Sequence, residues 1–599
     1  MDTVASKVVL GGGEFLVKET RPEDVFIPEE CNEEQLMIQN MIQDFIESEI
    51  RPNLDKIEKQ EDNIAAILLE KLGELGLLGA HMPEQYGGME LDNNTNTLIS
   101  TALGPAGSFT VSFAAHIGIG MLPILYFGTE AQKDKYLPRL ISGELKASYC
   151  LTEPGSGSDA LAAKTRADLS EDGSHYILNG QKMWITNAGF SDIFIVFAQV
   201  DGDKFTGFIV EKGMDGFTLG AEEDKLGIKG SSTRQVFFEN VKVPRENLLG
   251  EIGKGHLIAF NVLNVGRFKL GALSLGGAKG SADTAVKYAN ERVQFKVPIS
   301  TFGAIKHKLA EEAIQIFAGE STQFRVSDLM KQKKEELSAA GKSYAEAKLM
   351  AAEEYAIECS ILKLVGSEVL DFVVDETLQV HGGMGFSEEG TAARAYRDAR
   401  INRIYEGTNE INRLLMVDML FKRSMKGKLD IVGPAWEVQK ELAAMPSFGG
   451  NDDTPYAEEH KAIKDFKKAI LMTAGAAAKM QMDGQLNLKE EQEIIMNVSD
   501  MMTQMYMAES LLLRVQKLSG MKSEEELAVY HAMLKVFLHD TTSNMIKYGR
   551  DALASFAEGD LLRTMLMGLK RFTKYPPQNV KKLRRIVADK MIAENSYCF

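Results

Sequence analysis

One carboxylate is distinguished by its setting. In Arg403-Ile404-Tyr405-Glu406-Gly407-Thr408-Asn409-Glu410-Ile411 an acid lies between an aromatic residue and a glycine, and a helix-like run, INRLLMVDMLFKR, follows at once. Carboxylates gather before helix starts because the N-terminal end of a helix favours negative charge. The same group in a dry pocket becomes a base. Thr408 has the chemistry of an N-cap, although the strict capping box fails because the acid falls at Glu410, one position early.

Four other stretches could hold a ligand. In YCLTEPGSGSDA, Tyr149 to Ala160, Gly155 and Gly157 let backbone N–H groups converge, and Ser156 and Ser158 add hydroxyls; the segment reads as a phosphate cradle or as a plain surface turn. It is neither GxGxxG nor a Walker loop. GQKMWITN reads as a strand with Trp184 and Thr186 on one face, suited to a flat heteroaromatic ring or to simple core burial. Arg292 in ERVQF could meet a diphosphate, a weak signal alone. QVHGGMGF, Gln379 to Phe386, ends a long helix with glycines that either cap it or admit a close backbone approach.

These segments need elements to hold them. The chain has 599 residues, enough for three or four domains, and its 44% hydrophobic and 26% charged composition is that of a globular protein. Residues 1–148 read as a helical domain, 149–255 as an antiparallel β domain rich in turns, and 256–423 as a helix bundle. A Pro/Gly/Asp-containing link, 424–456, precedes a further helical domain, 457–599, in which Met501, Met502, Met505 and Met507 read as core. The fold class is thus mainly α with a central β domain. A net charge of −17 argues against nucleic-acid binding. Cys31, Cys150, Cys359 and Cys598 are far apart and the nine histidines are scattered, so neither disulfides nor a metal site is expected and a cytoplasmic, reducing location fits. The start, MDTVASKVVLGGGEF, lacks the secretory pattern, and no apolar run of about 18 residues is expected to span a membrane.

Taken in order, LGLLGAHMPEQYGG, FGTEAQKDKYLPRL, YCLTEPGSGSDA, NGQKMWITNAG, KLGIKGSSTRQVFFENVKVPRENLLGE, QVHGGMGF and RDARINRIYEGTNEINR resemble the acyl-CoA dehydrogenase family, and the extra C-terminal helices resemble its very-long-chain subgroup. The resemblance implies FAD, a fatty acyl-CoA substrate converted to its trans-2-enoyl thioester, and electrons passed to electron-transfer flavoprotein. It makes Glu406 the base, with Tyr405 and Gly407 flanking the thioester. Tyr149, Leu151, Thr152, Gly157 and Ser158 would line the flavin and its phosphates, Ser158 also reaching CoA. Trp184, Ile185 and Thr186 would sit at the flavin ring. Arg292, Phe302 and Gln379, Val380, His381, Gly382 and Gly383 would reach FAD across a homodimer interface. Thr408, Asn409 and Glu410 would contact FAD, and Asn264 and Arg267 the CoA moiety.

Some relatives carry the base immediately before this arginine; here that position is Gly266, which cannot be one. In FAAHIGIGMLP, Ala114, Ala115, Gly118 and Gly120 either open a deep acyl cavity or merely let helices pack closely. Residues 561–599 carry nine Lys/Arg, read either as a solvated helical face or, as in very-long-chain relatives, as a peripheral membrane contact. Two other outcomes of the same fold remain on this reading: an acyl-CoA oxidase that uses oxygen, and a non-catalytic scaffold for respiratory-complex assembly.

Overall fold

The computed structural model describes residues 7–444 and 454–599. Its helical elements start where local chemistry allows. The helix Glu33–Phe45 opens on a capping box between Asn32 and Gln35, and Tyr344–Glu354 and Glu524–Phe556 open on the pairs Ser343/Glu346 and Ser523/Glu526. The stretch Ser108–Phe127 has the length and mean hydropathy of a membrane span, contrary to the sequence expectation that no run would. In the fold it is broken by a π-helical turn at His116–Gly120, and 78% of its most apolar window is buried in the protein interior.

The β domain carries eight strands: β1 (Ala147–Cys150), β2 (Arg166–Leu169), β3 (His175–Thr186), β4 (Ile193–Val200), β5 (Lys204–Glu211), β6 (Phe217–Glu222), β7 (Thr233–Pro244) and β8 (Leu248–Leu249). The order β6-β7-β3-β2-β4-β5-β8 is mixed, not wholly antiparallel as the turn-rich sequence suggested. β1 and β2 both run parallel to β4, Tyr149 opposite Ile195 and Arg166 opposite Gln199. No crossover helix is needed, because the β2–β3 hairpin itself carries the chain back to β4. β1 and β2 thus lie end to end along one edge of β4, and the glycine-serine loop is thrown out of the sheet between them.

The bundle is built on the long helices Gly255–Glu291, Gly303–Ala339 and Ala356–His381. The first and third cross backbone to backbone: a Cβ on Gly366 would lie 2.6 Å from the Cα of Gly271. The segment SYAEAKLMAAEEYAIECS reads as one rod in the sequence but breaks at Tyr355. An N-terminal strap docks on this break. Gly12 and Gly13 donate backbone N–H groups to Glu354 and Glu358 (2.9 and 2.7 Å), and the Tyr355 hydroxyl donates to the Leu10 carbonyl (2.8 Å).

The stretch read as a link, 424–456, contains the helix Val432–Ala443, and most of its PSFGGNDDTP segment lies outside the described residues. The C-terminal helices then pack on the bundle. Met501, Met502, Met505 and Met507 are buried in that packing, as their pattern suggested. So is Arg514, 1% exposed, whose guanidinium lies 3.8 Å from the Phe317 ring centroid and bonds both Glu29 (2.8 Å) and Glu320 (2.9 Å). Removing one member of such a group strands the others in a low-dielectric interior. Arg514→Ala is therefore expected to destabilise the protein by about 3–5 kcal/mol. Thermal unfolding and limited proteolysis would show a lower midpoint with early release of the C-terminal helices; an unchanged midpoint would show the network to be dispensable.

Candidate active site

Glu406 lies in the short loop between the turn Arg400–Arg403 and the helix Asn409–Met425. Its φ is +58° and that of Gly407 is +80°. A non-glycine residue there is strained, and such outliers are retained where the surroundings fix them. The surroundings do fix this one. Arg267 Nε donates to the Glu406 carbonyl (3.3 Å) and Nη1 to Asn264 Oδ1 (2.9 Å). Asn412 Nδ2 donates to the carbonyls of Gly407 (2.8 Å) and Thr408 (3.0 Å). Thr408 caps the helix, its hydroxyl accepting from Ile411 N (3.2 Å), as read from the sequence.

The Glu406 carboxyl is enclosed, and Oε2 has no hydrogen-bond partner among the described residues. Burial pushes its pKa up to about 7, against the opposing pull of Arg267 and Lys363. Lys363, wholly buried, donates to Asn409 Oδ1 (2.5 Å) and is itself pushed down to about 7 by burial. Tyr149 and Tyr405 complete the enclosure. Burial, and secondarily the charge of Glu406, raises both phenols. Tyr405 donates to Asn402 Oδ1 (2.8 Å), whereas the buried Tyr149 hydroxyl has no partner among the described residues. A Cβ on Gly266 would stand 2.6 Å from Glu406 Oε2, so a side chain there and the carboxylate could not share this space.

The carboxylate opens on a cavity of about 1170 Å³ whose walls include Thr186, Gly266, Leu270, Leu273 and Tyr405. The alternatives for the small residues of FAAHIGIGMLP divide by position. Ala114, Ala115 and Gly118 line the cavity, and a Cβ on Gly118 would meet nothing, while one on Gly120 would strike Ala147 at 2.8 Å. The first three make space and the fourth makes packing.

The other proposed cofactor residues fall into two groups. Near the cavity, β3 carries one extra residue against β7 between Lys182 and Ile185, and this bulge gives Trp184 a φ of +57° and turns it outward, 60% exposed. It is not a core tryptophan. Ile185 points into the β core and Thr186 into the cavity. The adjacent loop is anchored by Glu153, which pairs with the buried Lys182 (2.7 Å) and accepts from Lys164 N and Thr165 N. Thr152 O accepts from Met183 N (2.9 Å), next to Leu151. Gly157 and Ser158 stay exposed, but Ser156 is not a free donor: its hydroxyl is buried and bonds Asp159 O (2.7 Å). Asn409 is likewise turned inward, to Lys363, Ser367 and Glu368, whereas Glu410 is exposed.

The second group lies at the far end of the helix Gly255–Glu291. Arg292 follows that helix, Phe302 packs edge-on to Phe295 at 6.0 Å, and His381 stacks on Tyr288 at 4.1 Å, beside Val380, the exposed Gln379 and the turn at Gly382 and Gly383. From Gly266, in contact range of Glu406, to Glu291 is about 37 Å of helix. The two groups therefore lie far apart along one cavity, whose distant wall includes Tyr288 and His381. Among the nine basic residues of 561–599, Arg563, Arg571, Arg584 and Lys590 have acidic partners, while Lys570, Lys574, Lys581, Lys582 and Arg585 have none among the described residues.

Sequence reasoning overlooked Lys363, which lies near Glu406, and Lys269, the second charge after Arg267 in the largely apolar run GRFKLGALSLGG, which proves to line the cavity. It also overlooked Ile228, a β-branched residue at φ +47° whose backbone N–H is held by the half-buried Asp398. A lysine at an apolar helical position was the available signal for the first two.

Four family models match the chain in order: acyl-CoA dehydrogenase N-terminal domain over residues 32–144, middle domain over 148–241, and two C-terminal domain models over 253–421 and 465–571. The chain belongs to the acyl-CoA dehydrogenase family. It is 44% identical over 594 residues to a probable acyl-CoA dehydrogenase of Bacillus subtilis (strain 168), covering 99% of each protein. It is 40% identical over 423 residues to the human mitochondrial very long-chain specific acyl-CoA dehydrogenase, 69% of this chain and 59% of that one. A crystal structure of an acyl-CoA dehydrogenase complexed with FAD from Bacillus anthracis superposes with a TM-score of 0.95 at 44% identity, over 98% of this chain and 100% of that one.

The raised pKa of Glu406 has a signed consequence. The folded state holds this proton more tightly than the unfolded chain, so its contribution to stability is complete below about pH 4.5 and is lost as pH rises through about 7. Glu406→Gln removes that loss. The variant's stability relative to wild type should rise between pH 4.5 and 7 and level off above, by at most about 3 kcal/mol. Parallel thermal melts across this range check it; a flat difference would mean that the carboxyl titrates normally.

Proposed function

We propose that the protein catalyses FAD-dependent α,β-dehydrogenation of long-chain fatty acyl-CoA to trans-2-enoyl-CoA, as in fatty acid β-oxidation, with electron-transfer flavoprotein as electron acceptor. The observation that carries this reading is the carboxyl of Glu406, which lines a large cavity and has one shielded oxygen without a hydrogen-bond partner among the described residues. A hydrogen α to a thioester is a very weak acid, and its removal needs a base of raised pKa in a dry site. Glu406 takes that proton, the electron pair left on the α-carbon forms the new double bond, and the β-carbon gives up hydrogen with its bonding pair. FAD, when bound, supplies the acceptor for that hydride.

The residues fit the group. Trp184 offers an exposed ring, Thr186 a hydroxyl at the cavity, and the loop at Gly155 and Gly157 a backbone where a Cβ would meet nothing. Gly266 leaves room for the carboxylate, and Lys363 and Arg267 favour the ionised form that acts as base. The space left by Ala114, Ala115 and Gly118 supports the long-chain assignment.

Glu406→Gln should retain FAD, seen in its visible absorption, while anaerobic bleaching by acyl-CoA slows by at least about 10²–10⁴-fold, the usual worth of general base catalysis. Normal bleaching would remove Glu406 from this role. In wild type the same assay should be fastest with long acyl chains, and rapid peroxide formation in air would favour an oxidase instead.

A homodimer would bring Arg292, Phe302 and the Gln379–Gly383 turn of one chain to the FAD of the other, which the 37 Å separation along one helix favours. Exposed apolar side chains gather there: Phe295 is 89% and Phe386 85% exposed in the single chain. Phe386→Asp should shift the protein to monomer in light-scattering chromatography and lower its FAD content. A dimer with full FAD content would place the interface elsewhere.

A further inference from the structure

Several charged side chains line the acyl cavity besides Glu406, and of these Lys269 is buried. Lys269 lies one helical turn beyond Gly266, about 4.5 Å of rise along the same helix. It lines the cavity and is only 9% exposed. Its one polar contact is long, 3.4 Å from Nζ to His81 Nε2. His81 is buried too, its ring also bonded to the backbone of Ile117 in the π-helical cavity wall. On its other side the His81 carbonyl accepts from Lys348 (3.0 Å) and Tyr344 (2.6 Å).

No ion pair joins Lys269 to an acid among the described residues; burial and then the like charge of Lys348 push the amine down to about 7. A purely hydrocarbon chain gains nothing from passing such a group. Buried lysines are ordinarily paired with an acid. Lys182 with Glu153 and Lys467 with Glu509 follow that rule here, whereas the buried Lys363 donates to the Asn409 amide oxygen with Glu406 nearby. Lys269 itself lines the space that the substrate would fill.

Resting on the dehydrogenase reading above, we propose that Lys269 receives a carboxylate carried on the acyl chain, so that the substrates include acyl-CoA thioesters bearing a second, distal carboxyl group. The carboxylate would accept a charge-assisted hydrogen bond from Nζ and restore the ammonium, a bond of the stronger kind inside a protein. Lys269 is then a specificity-determining residue. It takes no part in proton removal at the α-carbon.

The test uses the FAD-loaded protein and two acyl-CoA series of matched lengths, one unsubstituted and one with a terminal carboxyl group. Anaerobic flavin bleaching gives kcat/KM for each. In wild type the carboxylated series should show a maximum at one length, where the carboxylate reaches Lys269, and the unsubstituted series should have no maximum there. Lys269→Met should lower the ratio of carboxylated to unsubstituted substrate at that length by at least about tenfold, the worth of one charged hydrogen bond. A featureless carboxylated profile, or a ratio that the variant leaves unchanged, overturns the proposal. Should the variant fail to hold FAD, the wild-type profiles alone decide. Bleaching by unsubstituted substrates only would refute this inference and leave the dehydrogenase reading standing; bleaching by neither series would refute both.

Discussion

The desolvation of one carboxylate organises this protein's chemistry. Glu406 Oε2 is shielded from water and has no hydrogen-bond partner among the described residues, at a backbone conformation that disfavours any residue but glycine. Each neighbouring feature answers that cost. Arg267 grips the loop by its carbonyl, Asn412 ties down the next two residues, and Lys363 supplies a second positive charge from the opposite helix. The backbone crossing of Gly271 and Gly366 brings both cations to one place, because Arg267 and Lys363 each lie within about a turn of it. A bulkier residue at either crossing point would spread the helices and loosen the hold on Glu406.

How much of this was legible in the sequence depended on whether the determining interactions were local. Thr408 as a cap, the turn at Gly382 and the long rods of the bundle follow from short-range rules, and the structure has them. The vacancy at Gly266 could be read as an absence of chemistry, yet its purpose as room for a carboxylate from residue 406 is a contact across 140 positions. The small residues of FAAHIGIGMLP show the same limit. Nothing local separates Gly118 from Gly120, and only the position of Ala147 makes one of them packing and the other space. From its strand pattern Trp184 could serve a flat ring or the core, because the bulge that turns it outward is a property of two strands paired, not of one strand's pattern. The break at Tyr355 was invisible for the same reason, since the strap that meets it comes from residues 10–13.

The C-terminal helices are joined to the bundle by buried ions as much as by apolar packing. Arg514 reaches Glu29 and Glu320, and Arg325 with Lys467 encloses Glu509. Such pairs contribute little net stability over apolar packing, but they tolerate few alternative arrangements, because any misplacement leaves a charge unpaired. Glu29 belongs to the segment before the first long helix, so one C-terminal arginine fastens both ends of the chain to the bundle. The helices that border the cavity are thereby braced from outside.

The placement of the glycine-serine loop between two collinear strands bears on how such a site can change over time. β1 and β2 each take their register from β4 independently, Tyr149 from Ile195 and Arg166 from Gln199. Residues 151–165 are thus a detour from a ladder that is already fixed on both sides. Lengthening, shortening or rewriting the exposed part of that detour leaves the sheet's pairing unaltered, provided that Glu153 keeps its hold on Lys182. The scaffold can therefore trial new loop sequences one at a time, with the mutational risk confined to ligand recognition and kept away from folding.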